Sequence, residues 1–243
     1  MLLIFLIGIV ASLISGAIGG GSGLILTPVQ MIVGIDPKIA TTTTHFGFIG
    51  VSLGAMMRFT QERNLRHQHA VPLACLAFVS GFLGPYLNLF TGSTVFQQIV
   101  GGLILVCIPL FIFKSNLGAD KRHASVASIM LGYLAFLLIL IMQVAFGAAT
   151  GILAIFVAVY LFGLSMIEAS AVLRLPNLIS SLMGLMVYAQ LGKVNYESGL
   201  TLLIATMVGG YIGSHIAIKG GNRFVKHLFS AFAVILAAML LFR

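Results

Sequence analysis

The chain alternates long apolar stretches with short polar connections, and the lengths of these stretches predict membrane-spanning helices. Six apolar segments are close to the roughly 20 residues that cross the hydrocarbon core of a bilayer. Two others, the first and the fifth along the chain, are too long for one span, because about 32 helical residues extend roughly 48 Å. The eight segments cover residues 2–33, 40–58, 70–90, 95–113, 124–162, 169–189, 198–218 and 226–242.

Glycines predict a break in the middle of each long segment. The first segment holds five glycines within Gly16–Gly23 and then Pro28, and the fifth holds Gly147 and Gly151. Each glycine inside a helix costs about 1 kcal/mol relative to alanine, so such clusters favour an interruption over a continuous helix. We therefore expect each long segment to form a hairpin of two half-helices.

The two halves of the chain have glycines and loops at matching positions, 129 residues apart. Glycines at positions 34, 81 and 84 lie opposite glycines at positions 163, 210 and 213, with no insertion needed. Residue identity between the halves is only weak support for a duplication, because the chain is so apolar. The stronger support is that glycines and loops keep the same spacing in both halves. Such duplication is typical of membrane transporters.

Composition indicates a membrane protein and argues against a soluble one. Hydrophobic residues make up 60% of the chain and charged residues only 7%, with a mean hydropathy of +1.14. That leaves too little polar surface for a soluble fold of this size. The net charge of +8 lies in short loops between apolar segments, which favours an anionic membrane surface as partner and argues against nucleic acid.

The placement of basic loops predicts repeats that face opposite ways. In the first half, three arginines follow the second apolar segment and three further cations lie at residues 114–122, so both loops are expected in the cytoplasm. In the second half, three cations at residues 219–226 occupy the counterpart of an uncharged loop. The prediction is an all-α membrane protein with two inverted-topology repeats, each a broken-helix hairpin plus three transmembrane helices. The alternative is eight plain spans in parallel repeats.

The domain boundaries follow from the same loops. Repeat 1 covers residues 1–115, a cytoplasmic linker covers 116–123, and repeat 2 covers 124–243. No connection is long enough to separate independent domains, so the two repeats are expected to share one core.

The first glycine break is a candidate anion site. A half-helix that begins near Ser22 presents unpaired N–H groups and a partial positive charge, and the absence of side chains lets an oxyanion approach the backbone. The candidate residues are Gly19, Gly20, Gly21, Ser22 and Gly23. The alternative is that these glycines only permit close helix packing.

A second candidate cluster lies at one repeat position, where His45 in the first half is opposite Arg174 in the second. Ionisable residues within apolar segments are costly to desolvate and are functional candidates by default. Thr43 and Thr44 precede the histidine, and Asn177 follows the arginine. An interfacial location, with Arg174 paired to nearby Glu168, is the alternative. A histidine at this depth could add a positive charge by taking up a proton.

Signatures of enzymes, metal sites and cofactor sites are missing from the sequence. We find no paired carboxylates, no nucleophile elbow, no H-E-x-x-H and no phosphate-binding loop. Cys75 and Cys107 are isolated in apolar segments and are expected to be buried small hydrophobic residues. The prediction is a protein that is not an enzyme and needs no metal or cofactor.

The chain resembles the TauE/SafE sulfite-exporter family of bacterial membrane permeases over essentially its whole length. The motifs that carry the resemblance are the run Gly16–Gly23 with Pro28, Gly34, Ala40-Thr41, Asn64-Leu65, Gly81 and Gly84 in the first half, and Ala169-Ser170, Gly192-Lys193-Val194, Gly210 and Gly213 in the second. One departure is clear: Ala148, Ala149 and Thr150 stand where the family usually repeats its triple glycine.

The resemblance implies a multi-pass permease of the bacterial inner membrane that handles sulfite, sulfonates or related organic anions. Because of the departure, we expect Thr150 to join Arg174 in binding the anion from the second half. A proton or a sodium ion could be coupled to transport. The rival hypotheses are a membrane-embedded enzyme or sulfur-relay protein, which needs a reactive cysteine in the cavity, and an anion channel. The transported anion, the direction of transport and the oligomeric state are left open.

Overall fold

A computed structural model describes residues 1–62, 67–90, 124–147 and 150–241, and regular structure within these ranges is α-helical. Two regions of the sequence analysis, the apolar segment 95–113 and the linker 116–123, lie outside the described residues. The helices are α1 Leu2–Ile18, α2 Gly23–Ile32, α3 Pro37–Gln61, α4 His67–Phe90, α5 Val126–Phe146, α6 Thr150–Tyr160, α7 Met166–Val172, α8 Arg174–Gln190 and α9 Tyr196–Leu241.

Among the described residues, four stretches are long and apolar enough to cross a membrane: His69–Phe90, Val126–Phe146, Met166–Gln190 and Tyr196–Ala231. Helix α3 is as long but less apolar, because it carries five threonines, His45 and Arg58. Its residues 42–52 are all buried within the protein. A helix that is covered by protein on all sides can carry polar groups that a lipid-facing helix cannot. Over the residues that the structure describes, the prediction of an all-helical fold with several apolar spans is confirmed.

Both long apolar segments are interrupted where the glycines predicted a break. Helix α1 ends at Gly19, whose φ of 95° is left-handed and whose N–H donates to Ser15 O at 2.9 Å. Helix α5 ends in the same way at Gly147, with φ 70° and an N–H bond to Gln143 O of 2.8 Å. Left-handed glycine is the usual terminator of a helix, because it satisfies a last-turn carbonyl without a side-chain clash.

The second break is a hairpin. Near the start of α5, Ser128 Oγ donates to Leu161 O, just past the end of α6, at 2.9 Å. The start of one half-helix therefore lies beside the end of the other, and the break at Gly147 is the tip between them. In the first half, α2 runs antiparallel to α3, since Thr27 bonds Thr44 and Gln30 bonds Ala40 O.

Helix boundaries recur 129 positions apart. Helix α3, Pro37–Gln61, corresponds residue for residue to α7 and α8 together, which form the span Met166–Gln190. Both start from a capping side chain, Asp36 in the first half and Ser165 in the second. A left-handed glycine precedes each cap, at positions 34 and 163. The same local chemistry therefore begins both helices.

Helices α3 and α8 run in opposite directions. His45, near the start of α3, stacks on Tyr188, near the end of α8, with ring centroids 5.7 Å apart. Farther along α3, Ser52 shares a cavity with Asn177 near the start of α8. Residues near the start of α3 therefore lie beside residues near the end of α8, and residues farther along α3 lie near the start of α8.

Glycines bring α9 into backbone contact with α1 and α3. A Cβ atom built at Gly210 would lie 2.7 Å from Val51 O, and one built at Gly16 would lie 2.7 Å from Gly210 O. Such separations are too short for a real side chain, so these positions require glycine. The glycine pairs at residues 50 and 54 and at 209 and 213 lie at these helix contacts. Helix α9 is itself interrupted at Gly221, where φ is 76°.

Candidate functional site

A small cavity lies where the two helix breaks meet. The turns at the breaks touch through their backbones: a Cβ at Gly20 would lie 2.7 Å from Gly151 Cα, and one at Gly151 would lie 2.8 Å from Gly20 Cα. The cavity is lined by Ser15, Gly19, Gly20, Gly21, Ser22, Gly23, Phe48, Val51, Ser52, Gln143, Gly147, Thr150, Gly151, Arg174 and Asn177.

The cavity measures about 20 Å³, which is enough to hold about one water molecule. A sulfite or sulfonate group has four or more heavy atoms and needs more space. Anion binding therefore requires the two breaks, or the helices behind them, to separate from the arrangement seen here.

The first break supplies backbone donors to this cavity. Among the described residues, the N–H groups of Gly20, Gly21, Ser22 and Gly23 have no backbone acceptor, and the bonds of α2 begin with Leu24 N–H to Gly21 O at 3.2 Å. These groups lie at the N-terminus of α2, where the helix dipole adds a partial positive charge. The arrangement suits an anion that approaches close to the backbone.

Arg174 supplies the formal positive charge. Its side chain is 1% exposed, and Nη2 donates to Ser15 O at 2.8 Å, Gly16 O at 3.1 Å and Ser170 Oγ at 3.1 Å. The two carbonyls belong to the last turn of α1, where the helix dipole favours a cation. The alternative of a pair with Glu168 is not found, because the Glu168 carboxylate bonds the N–H and hydroxyl of Ser165.

Four buried polar atoms around the cavity have no hydrogen-bond partner among the described residues. They are Arg174 Nε, Ser52 Oγ, Gln143 Oε1 and Asn177 Oδ1. A buried polar atom without a partner costs about 1–3 kcal/mol, so four of them at one cavity indicate a place for a polar ligand. Hydroxyls donate as well as accept, and the amide groups can present either end.

The charges around the cavity favour anions over cations. No carboxylate is among the lining residues that the structure describes, and Arg174 is the charged residue among them. A formal positive charge and helix N–H groups thus meet in a largely buried space, where electrostatic attraction is stronger than in water.

The structure brings together eight of the eleven residues that the sequence proposed. The five residues of the first break, together with Thr150, Arg174 and Asn177, all line the cavity. Three others lie elsewhere: Thr43 Oγ1 accepts from Asn195 N–H, Thr44 Oγ1 lies in a cluster with Thr27 and Gln30, and His45 lies behind the ring of Phe48.

Sequence reasoning missed Ser15, Phe48, Ser52 and Gln143 as cavity residues. Gln143 carried a usable signal, since it is a polar residue one turn before the glycine break of the fifth apolar segment. Ser52 and Phe48 carried none, because a serine and a phenylalanine in an apolar helix are ordinary. Among the described residues, no group of three His, Cys, Asp or Glu side chains could hold a metal ion.

Comparison with known proteins agrees with this architecture. The family model "Sulfite exporter TauE/SafE" matches residues 4–240, nearly the whole chain. The chain belongs to the TauE/SafE family. This assignment makes it a member of a membrane-transporter family and confirms the resemblance drawn from the glycine motifs.

Curated relatives of this TauE/SafE protein are named as membrane transporters. A "Probable membrane transporter protein" of Haemophilus influenzae is 23% identical over 99% of this chain and 94% of its own length. The "Probable membrane transporter protein YfcA" of Escherichia coli strain K12 is 25% identical over 98% and 88%. A "Probable membrane transporter protein ORF9" of a Sinorhizobium species is 26% identical over 96% and 90%. No solved structure matches the chain.

Proposed function

We propose that this TauE/SafE protein transports small sulfur-containing or organic anions, such as sulfite or sulfonates, across the bacterial inner membrane. The observation that carries the proposal is the cavity between the two helix breaks. It combines backbone N–H groups, the buried guanidinium of Arg174 and unpartnered amide and hydroxyl groups, and its described lining has no carboxylate. The description of the TauE/SafE family as sulfite exporters supports the choice of anion class.

Alternating access by two inverted repeats is the mechanism that we propose. It is supported by helix boundaries that recur 129 positions apart and by the opposite directions of α3 and α8. Repeat 1, residues 1–115, and repeat 2, residues 124–243, would each contribute one break to the site, with the cytoplasmic linker 116–123 between them. Motion of one repeat against the other would then widen the cavity toward each face in turn.

The rival functions have less support. A sulfur-relay protein or a membrane-embedded enzyme would need a thiol at the cavity. Cys75 is absent from the lining and is exposed on α4, so the expectation that it is buried was wrong; Cys107 lies outside the described residues. A channel would need a continuous pore, whereas the cavity is a small pocket closed by the contact of Gly20 with Gly151. We therefore propose a transporter that has neither enzyme activity nor a cofactor.

The test is uptake and efflux of labelled sulfite and of a panel of sulfonates in proteoliposomes. Arg174→Gln should weaken anion binding at least about 30-fold, since truncating one side of a buried charge interaction costs about 2–5 kcal/mol. Arg174→Lys should keep part of the affinity, because it retains the charge but loses the planar fork. Movement of none of these anions by the wild-type protein would refute the proposed substrate class.

Arg174 also bonds the end of α1, so loss of transport could reflect misfolding. Each variant is therefore compared with the wild type for its elution as a single species from a sizing column and for its thermal unfolding in detergent. A variant that is folded and still fails to bind the anion assigns the defect to the site.

A further inference from the structure

Two buried side chains hold the same place in the two halves, and each bonds the corresponding carbonyl of the opposite half. Arg174 Nη2 lies 2.8 Å from Ser15 O, in the last turn of α1. His45 Nε2 lies 3.0 Å from Val144 O, in the last turn of α5. Both members of the second pair lie 129 positions from those of the first. The repeat thus builds the same cation-favouring position twice, with a permanent charge in one copy and an imidazole in the other.

The hydrogen bond of His45 fixes which of its nitrogens is free. A carbonyl oxygen only accepts, so Nε2 carries the hydrogen and donates to Val144 O. In the neutral ring, Nδ1 is then an acceptor, and this atom is buried without a hydrogen-bond partner among the described residues. The side chain is 0% exposed. The ring therefore has one buried nitrogen that can take up a proton, and its other nitrogen bonds the last turn of α5, where the helix dipole favours a cation.

The groups around the imidazole contribute no competing charge. Tyr188 of α8 stacks on the ring and donates its hydroxyl to the same Val144 O at 3.0 Å. On the other packed helices the titratable groups are held by other partners: Arg174 bonds α1, and Tyr133 of α5 bonds His69 of α4. On α3 itself the charged residues are at the ends, at Lys38 and Arg58. Among the described residues, none of these contacts gives His45 a carboxylate partner.

One aromatic ring separates His45 from the anion cavity. Phe48 lines the cavity and packs edge-on against the imidazole, with centroids 5.5 Å apart. The same ring lies between the two breaks, 2.8 Å from a Cβ built at Gly23 and 4.0 Å from one built at Gly147. Separation of the breaks to admit an anion therefore moves the ring that covers the imidazole.

We propose that Nδ1 of His45 binds the proton that is coupled to anion transport, so that a positive charge additional to that of Arg174 forms behind Phe48 when an anion occupies the cavity. This inference rests on the proposed function, which leaves the coupling ion open between proton and sodium. Binding linkage is reciprocal, so a proton that strengthens anion binding is itself bound more tightly when the anion is present.

Affinity as a function of pH tests the proposal, with methanesulfonate as the anion because its charge is constant over the range. Wild-type affinity should rise by up to about tenfold for each pH unit that the pH falls within the range where His45 titrates. His45→Arg places the residue of the other repeat at this position and should bind tightly with no pH dependence. His45→Gln should bind weakly with no pH dependence. A merely structural role for His45 would leave the pH dependence of His45→Gln as in the wild type, and that result overturns the proposal.

Nitrogen NMR of protein labelled at histidine reads the proton directly, with the His45 signal assigned by its loss in His45→Gln. Acidification in the presence of methanesulfonate should convert this signal from the Nε2–H form to the doubly protonated form. A signal that stays in the neutral form with the anion bound overturns the proposal, even if the His45→Arg protein fails to fold. If neither methanesulfonate nor sulfite binds the wild type at any pH, the anion function fails. Protonation of Nδ1 in the anion-free protein then supports the proton site, and its absence refutes it.

Discussion

Two serines at the same repeat position, Ser52 and Ser181, allow a role in anion binding to be distinguished from ordinary burial. Ser52 and Ser181 lie 129 positions apart, are 1% and 0% exposed, and each has a hydroxyl without a hydrogen-bond partner among the described residues. Only Ser52 is among the residues that line the cavity. The two serines therefore occupy matching positions in the two repeats, but only Ser52 reaches the cavity.

We predict that Ser52→Ala weakens anion binding by at least about tenfold, because a hydrogen bond to a charged group is worth about 1.5–3 kcal/mol. Ser181→Ala should leave affinity close to that of the wild type. Direct binding of sulfite or a sulfonate to the purified proteins measures both. Equal losses in the two variants would show that the cavity seen between the breaks is not where the anion binds.

At the two helix breaks, glycine permits close packing of the backbone as well as the approach of a ligand. The sequence leaves those two roles open, and at Gly20 the structure supplies a packing reason, since its backbone touches that of Gly151. At Gly34, by contrast, a Cβ would meet nothing within 4 Å, although φ is +88°. Gly20 is therefore required because there is no space for a side chain, and Gly34 because its backbone is left-handed.

We predict that Gly20→Ala lowers the thermal unfolding midpoint in detergent much more than Gly34→Ala does. The first substitution pushes two backbones apart, whereas the second costs only the penalty of a left-handed alanine, about 1–2 kcal/mol. Comparable midpoints for the two variants would mean that the breaks are looser than the contact indicates.

For the molecule as a whole, the proposed inverted repeats predict that corresponding helix ends lie on opposite sides of the membrane. Glu62 follows α3 and Leu191 follows α8, at the same repeat position, and both are exposed. In a protein whose two native cysteines have been replaced, a cysteine at 191 should react with an impermeant reagent added outside. One at 62 should react only after the membrane is permeabilised. Labelling of both from the same side would establish parallel repeats.

Much of this architecture could be read from the sequence, and the parts that could not have a common cause. Helix breaks, turn glycines and apolar lengths are local properties, so Gly19, Gly34 and Gly147 were recognisable from residue type and spacing. Which side chains meet across the breaks depends on packing between helices distant in sequence. For that reason His45 and Arg174 were paired by the repeat, yet only Arg174 lines the cavity. Gln143 and Ser52 reach the cavity by the same long-range packing.

The exchange of helix caps between the halves has a consequence for biogenesis. Arg174 bonds the carbonyl of Ser15 across 159 positions, and His45 bonds that of Val144 across 99. During synthesis α1 leaves the ribosome long before Arg174, so the Ser15 and Gly16 carbonyls lack this donor until the second half arrives. Each half thus supplies a polar partner to a helix end of the other, and the two expressed from separate genes should accumulate in the membrane only when they are made together.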